Sequence, residues 1–114
     1  MIKIEIQRQK NKIIYFEIKG HANFSEYGED VICAAVSSVG QMTINGLIET
    51  LKLQKKLEYV EKDGLITCDL KDSELTDDEL EKADILIESM YSYLKAVARS
   101  YSEFVRLEEK IEKK

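Results

Sequence analysis

The spacing of apolar residues changes period along this chain, and the order of those periods limits the folds open to it. Ile2, Ile4 and Ile6 alternate with polar residues, which predicts a half-buried strand. A polar break at residues 9–12 and strand-like residues at 13–19 follow, and Gly20 ends this second run. The chain therefore begins with a predicted hairpin of two antiparallel strands.

A helical period comes next. Asp30 precedes apolar residues spaced three and four apart, which predicts an amphipathic helix running to Leu53 with Asp30 as its N-cap. Cys33 would then be the third helical residue, among the unpaired amide groups of the first turn. The predicted apolar stripe comprises Ile32, Ala35, Val36, Val39, Met42, Thr43 and Leu47.

The second half repeats the order of hairpin and helix. Residues 57–61 and 65–70 flank Lys62-Asp63-Gly64, and an Asp-Gly pair is typical of a hairpin turn. Thr76 and Glu79 form a predicted capping box before the second helix. Its apolar stripe comprises Leu80, Ala83, Leu86, Ile87, Met90, Leu94, Val97, Ala98 and Tyr101.

Three further residues of the second helix, Ile85, Tyr91 and Tyr93, lie off its stripe. They are either isolated exposed residues or a second buried contact such as a dimer interface. A short final strand is predicted at residues 104–107. The sequence therefore predicts one α+β domain over residues 1–114, ββαββα with a short last strand, in which two main helices pack on an antiparallel or mixed sheet.

The composition limits the functional classes. The apolar fraction of 44% with 34% charged residues is that of an ordinary soluble protein. We expect no membrane span, and because the N-terminus lacks the apolar stretch of a signal peptide, we expect the cytoplasm. A net charge of −5 argues against nucleic-acid binding and favours a basic partner.

Two cysteines and one histidine carry the candidate chemistry. We expect Cys33 and Cys68 to be thiols, and we expect neither a metal nor a cofactor. Cys33 at a helix start is a candidate nucleophile and His21 a candidate base, because a loop of eleven residues can bring its ends together. The alternative is a buried Cys33 that acts as a small hydrophobe and a solvated His21. Cys68, in mid-strand, is predicted to be structural.

Other side chains near this pair have candidate roles. Asp30 or Ser37 can orient the imidazole, and the backbone N–H groups of Cys33 and its neighbours can stabilise an oxyanion. Phe24 and Tyr27 in the loop can receive hydrophobic substrate side chains, although a polar loop of this kind is more often simply solvated.

The order Gly20-His21-Ala22, then Gly28, then Asp30-Val31-Ile32-Cys33-Ala34-Ala35-Val36-Ser37 resembles the signature of the ribosomal-processing cysteine protease family Prp. The resemblance extends over essentially the whole chain. It implies a homodimeric bacterial cysteine protease that removes a short N-terminal extension from large-subunit ribosomal protein number twenty-seven.

The resemblance also implies roles for individual residues. His21 and Cys33 match the catalytic dyad, Asp30 and Ser37 match supporting positions, and Gly20 and Gly28 match the ends of a mobile substrate-binding loop. That loop also contains Ala22, Asn23, Phe24 and Tyr27.

Two other functions stay open at this point. A ribosome-associated binding or assembly protein would hold the same basic segment without cutting it. A redox sensor would use Cys33 with Cys68 as its resolving partner.

Overall fold

The computed structural model of the protein describes residues 1–20, 29–71 and 74–112, with the backbone alone at residues 29, 30 and 112. The predicted order of elements and the α+β class are confirmed. The elements are β1 (Ile2–Gln9), β2 (Lys12–Lys19), α1 (Glu29–Asn45), a π-helical turn (Gly46–Thr50), β3 (Glu58–Lys62), β4 (Leu65–Asp69), α2 (Asp77–Ser100) and β5 (Val105–Glu112). The loop predicted at residues 22–29 lies outside the described residues except for Glu29, which is the first residue of α1.

The five strands form one mixed sheet in the order β3-β4-β2-β1-β5. The β1–β2, β2–β4 and β3–β4 pairs are antiparallel, whereas β5 pairs with β1 in parallel, from Ile2 opposite Val105 to Gln9 opposite Glu112. The last strand extends beyond the predicted residues 104–107, because the charged residues up to Glu112 also pair with β1. Charged side chains on an edge strand discourage pairing with another chain.

Both hairpins are present, and the first is tighter than predicted. Its turn consists of Lys10 and Asn11 alone, with φ of 52° and 68°. Two positive φ values are the signature of the type I′ turn, whose twist matches that of the strands it joins. In the second hairpin the Asp63-Gly64 turn is confirmed, and Gly64 has φ 78°.

The core lies between one face of the sheet and the two helices. Ile4, Ile6 and Phe16 on that face are at most 1% exposed, and so are Ile87 and Leu94 of α2. The pleat directs the intervening residues to the opposite face, where Lys3 is exposed and Glu5 and Glu17 are half-buried. The helices therefore cover a single face of the sheet.

The bounds and the buried face of α1 differ from the prediction. The helix begins at Glu29, so Asp30 lies inside the first turn and its prediction as the N-cap is wrong. It ends at Asn45 and continues as the π-helical turn rather than as a regular helix to Leu53. Predicted stripe residues Ala35 and Met42 are exposed, whereas Ile44 is fully buried, because the face that meets the sheet runs through positions 32, 36, 40, 44 and 47.

The second helix follows its prediction closely. Thr76 accepts from the Glu79 N–H at 3.1 Å, and the Glu79 carboxylate accepts from the Thr76 N–H at 2.9 Å, which confirms the capping box. Of the residues off the stripe, Ile85 and Tyr93 are exposed, but Tyr91 is buried. The guanidinium of Arg8 lies 5.3 Å from the Tyr91 ring centre, so this tyrosine belongs to the packing of α2 on the sheet.

The expectation that no segment resembles a membrane span needs correction. Val31–Thr50 is 20 residues long with a mean hydropathy of 1.5, which satisfies the length and composition of a membrane-crossing helix. Core helices satisfy the same criteria, and this one places Ile32, Val36 and Leu47 in the core.

Candidate active site

Cys33 lies on the first part of α1, beside the end of β2. It is half-buried, and its thiol donates to the backbone carbonyl of Gly20 over an Sγ–O distance of 3.9 Å. Because α1 begins at Glu29, Cys33 is its fifth residue rather than its third. Its N–H therefore pairs within the helix, with the Glu29 carbonyl one turn earlier, whereas the N–H groups of Glu29, Asp30 and Val31 have no partner inside the helix. These groups, not the Cys33 N–H, are the available oxyanion donors of α1.

Gly20 is the residue that holds the end of β2 against the thiol. Its φ of +111° is a value that residues with a side chain rarely adopt, and a Cβ at this position would lie 2.6 Å from the Met1 carbonyl oxygen. Its N–H donates to the Gly64 carbonyl over 3.0 Å. Gly20 therefore connects the thiol to the β3–β4 turn and to the start of the chain.

The helix face beyond Cys33 has two small residues with different roles. Ser37, one turn further along, is half-buried and lines a cavity. Gly40 is buried, and a Cβ there would lie 2.7 Å from Ile18 Cδ1 and 3.3 Å from Ile66 Cδ1. Gly40 thus allows α1 to approach the sheet closely and does not leave room beside the thiol.

A polar cavity of about 340 Å³ lies between α1 and the β3–β4 turn. Ile18 and Ile66 form part of its lining from the sheet, and Ser37 and Gln41 line it from α1. Gly20 lines it as well, so the cavity and the Cys33 thiol share a neighbour. The structure thus places a recess of side-chain size one helical turn along α1 from the candidate nucleophile.

The cavity is also lined by residues at the end of β3 and in the turn after it, Glu61 to Gly64. These were not identified from the sequence as site residues. The Asp63-Gly64 signal marks only a turn, and the pairing of β4 with β2 is what brings that turn to Gly20. Gln41 could have been identified from the sequence. Cys33, Ser37 and Gln41 are spaced four apart, and residues four apart share a helix face.

Cys68 has the opposite character from Cys33. It is fully buried on β4, opposite Phe16 of β2. Burial, with a smaller contribution from Asp69, raises the pKa of the Cys68 thiol to about 12. Since the thiolate is the reactive form, this cysteine is unreactive near neutral pH, and the prediction that it is structural is confirmed.

The remaining predicted site residues fall outside this description. His21, Ala22, Asn23, Phe24, Tyr27 and Gly28 lie outside the described residues, and only the backbone of Asp30 is described. The contact of His21 with Cys33 therefore stays a prediction. In the described part of the chain, no group of three His, Cys, Asp or Glu side chains converges.

Comparison with known proteins identifies relatives of this chain. The profile of the family described as Cysteine protease Prp matches residues 1–106. Among curated proteins, the ribosomal processing cysteine protease Prp of Bacillus subtilis is 34% identical over 94% of this chain and 96% of its own. That of Staphylococcus aureus is 26% identical over 94% of this chain and 97% of its own.

Solved structures share the fold. A Streptococcus mutans protein superposes with a TM-score of 0.77 at 31% identity, covering 98% of this chain and 96% of its own. The S. aureus Prp with a substrate peptide gives 0.77 at 25% identity, covering 96% of this chain and 100% of its own. The same protein with a covalently linked product peptide gives 0.74 at 26% identity over the same shares.

Proposed function

Because the chain belongs to the cysteine protease Prp family, we propose that it removes the N-terminal extension of large-subunit ribosomal protein number twenty-seven during ribosome maturation. The observation that carries the proposal is the half-buried thiol of Cys33, held at the Gly20 carbonyl beside a cavity of side-chain size. Curated relatives over almost the whole length are named ribosomal processing cysteine proteases, and one of them has been solved with a substrate peptide.

In the proposed mechanism His21 takes the proton of the Cys33 thiol, and the thiolate attacks the carbonyl carbon of the scissile bond. The C–N bond then breaks, and the imidazolium of His21 gives its proton to the departing amine, which becomes the mature N-terminus. Water attacks the resulting thioester and gives a proton to His21. The C–S bond breaks, the extension leaves as a carboxylic acid that loses its proton to solvent, and His21 returns the other proton to the Cys33 sulfur.

Supporting roles go to residues around the dyad. Asp30 and Ser37 orient the imidazole and the substrate, and the N–H groups of residues 29–31 stabilise the oxyanion. The loop between Gly20 and Gly28, with Ala22, Asn23, Phe24 and Tyr27, contacts the substrate. No cofactor enters this scheme.

The partner of this site is a ribosomal protein precursor. The net charge of −5 complements a basic N-terminal segment and would speed their encounter. We place the reaction in the cytoplasm, within the single domain of residues 1–114, with neither a membrane nor a nucleic acid bound directly.

We also propose that the protein acts as a homodimer. Met42 of α1 and Ile85 of α2 are each 68% exposed, and Tyr93 is 53% exposed. Met42 and Tyr93 line an apolar groove of about 510 Å³ between the two helices. A second copy seated on this groove would remove these side chains from water.

The test of the cleavage reaction is mass spectrometry of the precursor after incubation with the protein. We expect the wild type to shorten the precursor by its N-terminal extension, and Cys33→Ala and His21→Ala each to abolish cleavage with an unchanged circular dichroism spectrum. Cys68→Ala is the matched control, because that thiol is buried and unreactive. Cleavage by Cys33→Ala would refute the mechanism.

The same experiment separates the alternatives. A binding or assembly protein would retain the precursor on a column and leave its mass unchanged. A redox sensor would lose two hydrogens on mild oxidation as Cys33 and Cys68 join, but the high pKa of the Cys68 thiol argues against this function.

A further inference from the structure

We infer that the polar cavity beside Cys33 is a specificity subsite for a lysine or arginine side chain of the substrate, with Glu61 as the anionic partner. This inference rests on the proposed function, because it assigns a place to a substrate residue near the scissile bond.

The cavity lies where a substrate residue near the cleaved bond would place its side chain. Cys33, Ser37 and Gln41 are spaced four apart on α1, so they follow one another on one face, about 6 Å apart along the axis. Ser37 and Gln41 line the cavity, and Gly20 both lines it and contacts the thiol. An extended peptide advances about 3.3 Å per residue, so the cavity lies within a few residues of the attacked carbonyl.

The lining of the cavity suits an amphipathic side chain. Ile18 and Ile66 offer apolar surface from the sheet, while Ser37 and Gln41 offer polar groups. A lysine or arginine can place its hydrocarbon stem against the isoleucines and extend its charged end toward the rim. A volume of about 340 Å³ is ample for one such side chain.

The charge at the rim comes from Glu61. This residue pairs with Ile66 across β3 and β4, and Ile66 is buried on the helix-covered face, so Glu61 lies on the same side as α1. Its neighbour Lys62 also lines the cavity but pairs with Leu65, and the pleat directs its side chain to the opposite face. Asp63, in the turn, adds a second carboxylate at the rim.

Glu61 is also free to take a ligand. In the described part of the chain it forms no ion pair, in contrast to Glu79, which binds Lys56 at 3.0 Å. A carboxylate at the mouth of a recess, without an internal cation, is complementary to a basic side chain.

The experiment measures kcat/KM on peptides that span the cleavage junction of the precursor. In these peptides each residue within four of the scissile bond is in turn lysine or the uncharged, similarly shaped norleucine. We expect one position at which lysine is preferred. Glu61→Gln should reduce that preference about five-fold, the size of one partly exposed ion pair, and leave the norleucine peptide unchanged. Glu61→Lys should reverse the preference, so that norleucine is favoured over lysine at the same position.

The matched control is Glu58→Gln. Glu58 lies on the same strand and is exposed, but it pairs with Asp69, whose side chain lies on the open face of the sheet. The substitution therefore changes the net charge equally without changing the cavity. An equal loss in both variants, or no lysine preference at any position, overturns the subsite even if the protein cleaves its precursor.

Binding separates this inference from the proposed function. The affinities of Cys33→Ala for the lysine and norleucine peptides, measured by fluorescence anisotropy, report the subsite without cleavage. A preference for lysine that is lost in Cys33→Ala/Glu61→Gln supports the subsite even if the wild type cuts no peptide, and equal affinities overturn it.

Discussion

At the scale of single residues, Gly20 and Cys33 form the contact that joins the end of β2 to α1. The carbonyl of Gly20 accepts from the thiol and its N–H donates to Gly64, so its backbone conformation determines two neighbours at once. The residue types at both positions are visible in the sequence. The contact is not, because it depends on the φ of +111° that brings the end of β2 to α1.

Substitution of Gly20 by alanine is expected to damage both the fold and the reaction. The added Cβ would lie 2.6 Å from the Met1 carbonyl in a backbone conformation that alanine disfavours. We expect a loss of about 1–3 kcal/mol in unfolding free energy from urea titration, and a fall in kcat/KM even at temperatures where the variant is fully folded. A variant as stable and as active as the wild type would contradict this.

Asp84 supplies a prediction about pH. Its carboxylate accepts from the Ile13 N–H at 2.9 Å, yet burial raises the pKa of Asp84 above the usual value, and Glu88 adds to this. For an acid with a raised folded-state pKa, ionisation favours the unfolded chain, so stability from this group falls as pH rises past about 4. Asp84→Asn keeps the acceptor. We expect it to be more stable than the wild type at pH 7, by no more than ~0.5 kcal/mol, and the difference to vanish at pH 3.

At the scale of elements, the sequence correctly predicted the features that are formed by residues close together in the chain. The Thr76–Glu79 capping box and the Asp63-Gly64 turn are both where the sequence predicts them, because each is made within four residues. The first helical residue of α1 was predicted two residues late, since Asp30 is an equally good residue for the first turn. The buried face of α1 was missed at Ile44 because tertiary packing, not spacing, selects among adjacent apolar residues.

Thr76→Ala tests the capping box. The substitution removes the acceptor for the Glu79 N–H and should lower the unfolding free energy by about 1 kcal/mol in urea titration. Cleavage should be unchanged when the variant is folded. Ser92→Ala, an exposed position in the middle of α2, is the control and should change stability little.

At the scale of the whole molecule, the position of β5 was beyond prediction. The final strand pairs with β1 in parallel, so residues about a hundred positions apart in the chain become neighbours. The turn chemistry that specifies a hairpin is absent from such a pair, and α2 instead carries the chain back across the sheet. The pairing of β4 with β2, also between distant parts of the chain, brings the β3–β4 turn to the candidate site. This explains why Glu61 was not identified from the sequence.

The homodimer is tested at the same scale. Tyr93→Glu places a charge in the groove between α1 and α2 and should shift the protein to monomer in sedimentation equilibrium. Ser92→Glu adds the same charge one residue away, outside the residues that line the groove, and should leave the dimer intact. A dimer that survives Tyr93→Glu would place the interface on another face.

The junction at Gly20 also determines how the protein is best produced and labelled. The Met1 carbonyl lies against Gly20, and the Ile2 N–H donates to the Phe104 carbonyl at 2.8 Å, so the backbone of the first two residues is held between Gly20 and the turn that precedes β5. A tag fused ahead of Met1 would join the chain next to Gly20, whose carbonyl accepts from the Cys33 thiol. A purification handle or a fluorophore therefore belongs after β5, at the edge of the sheet.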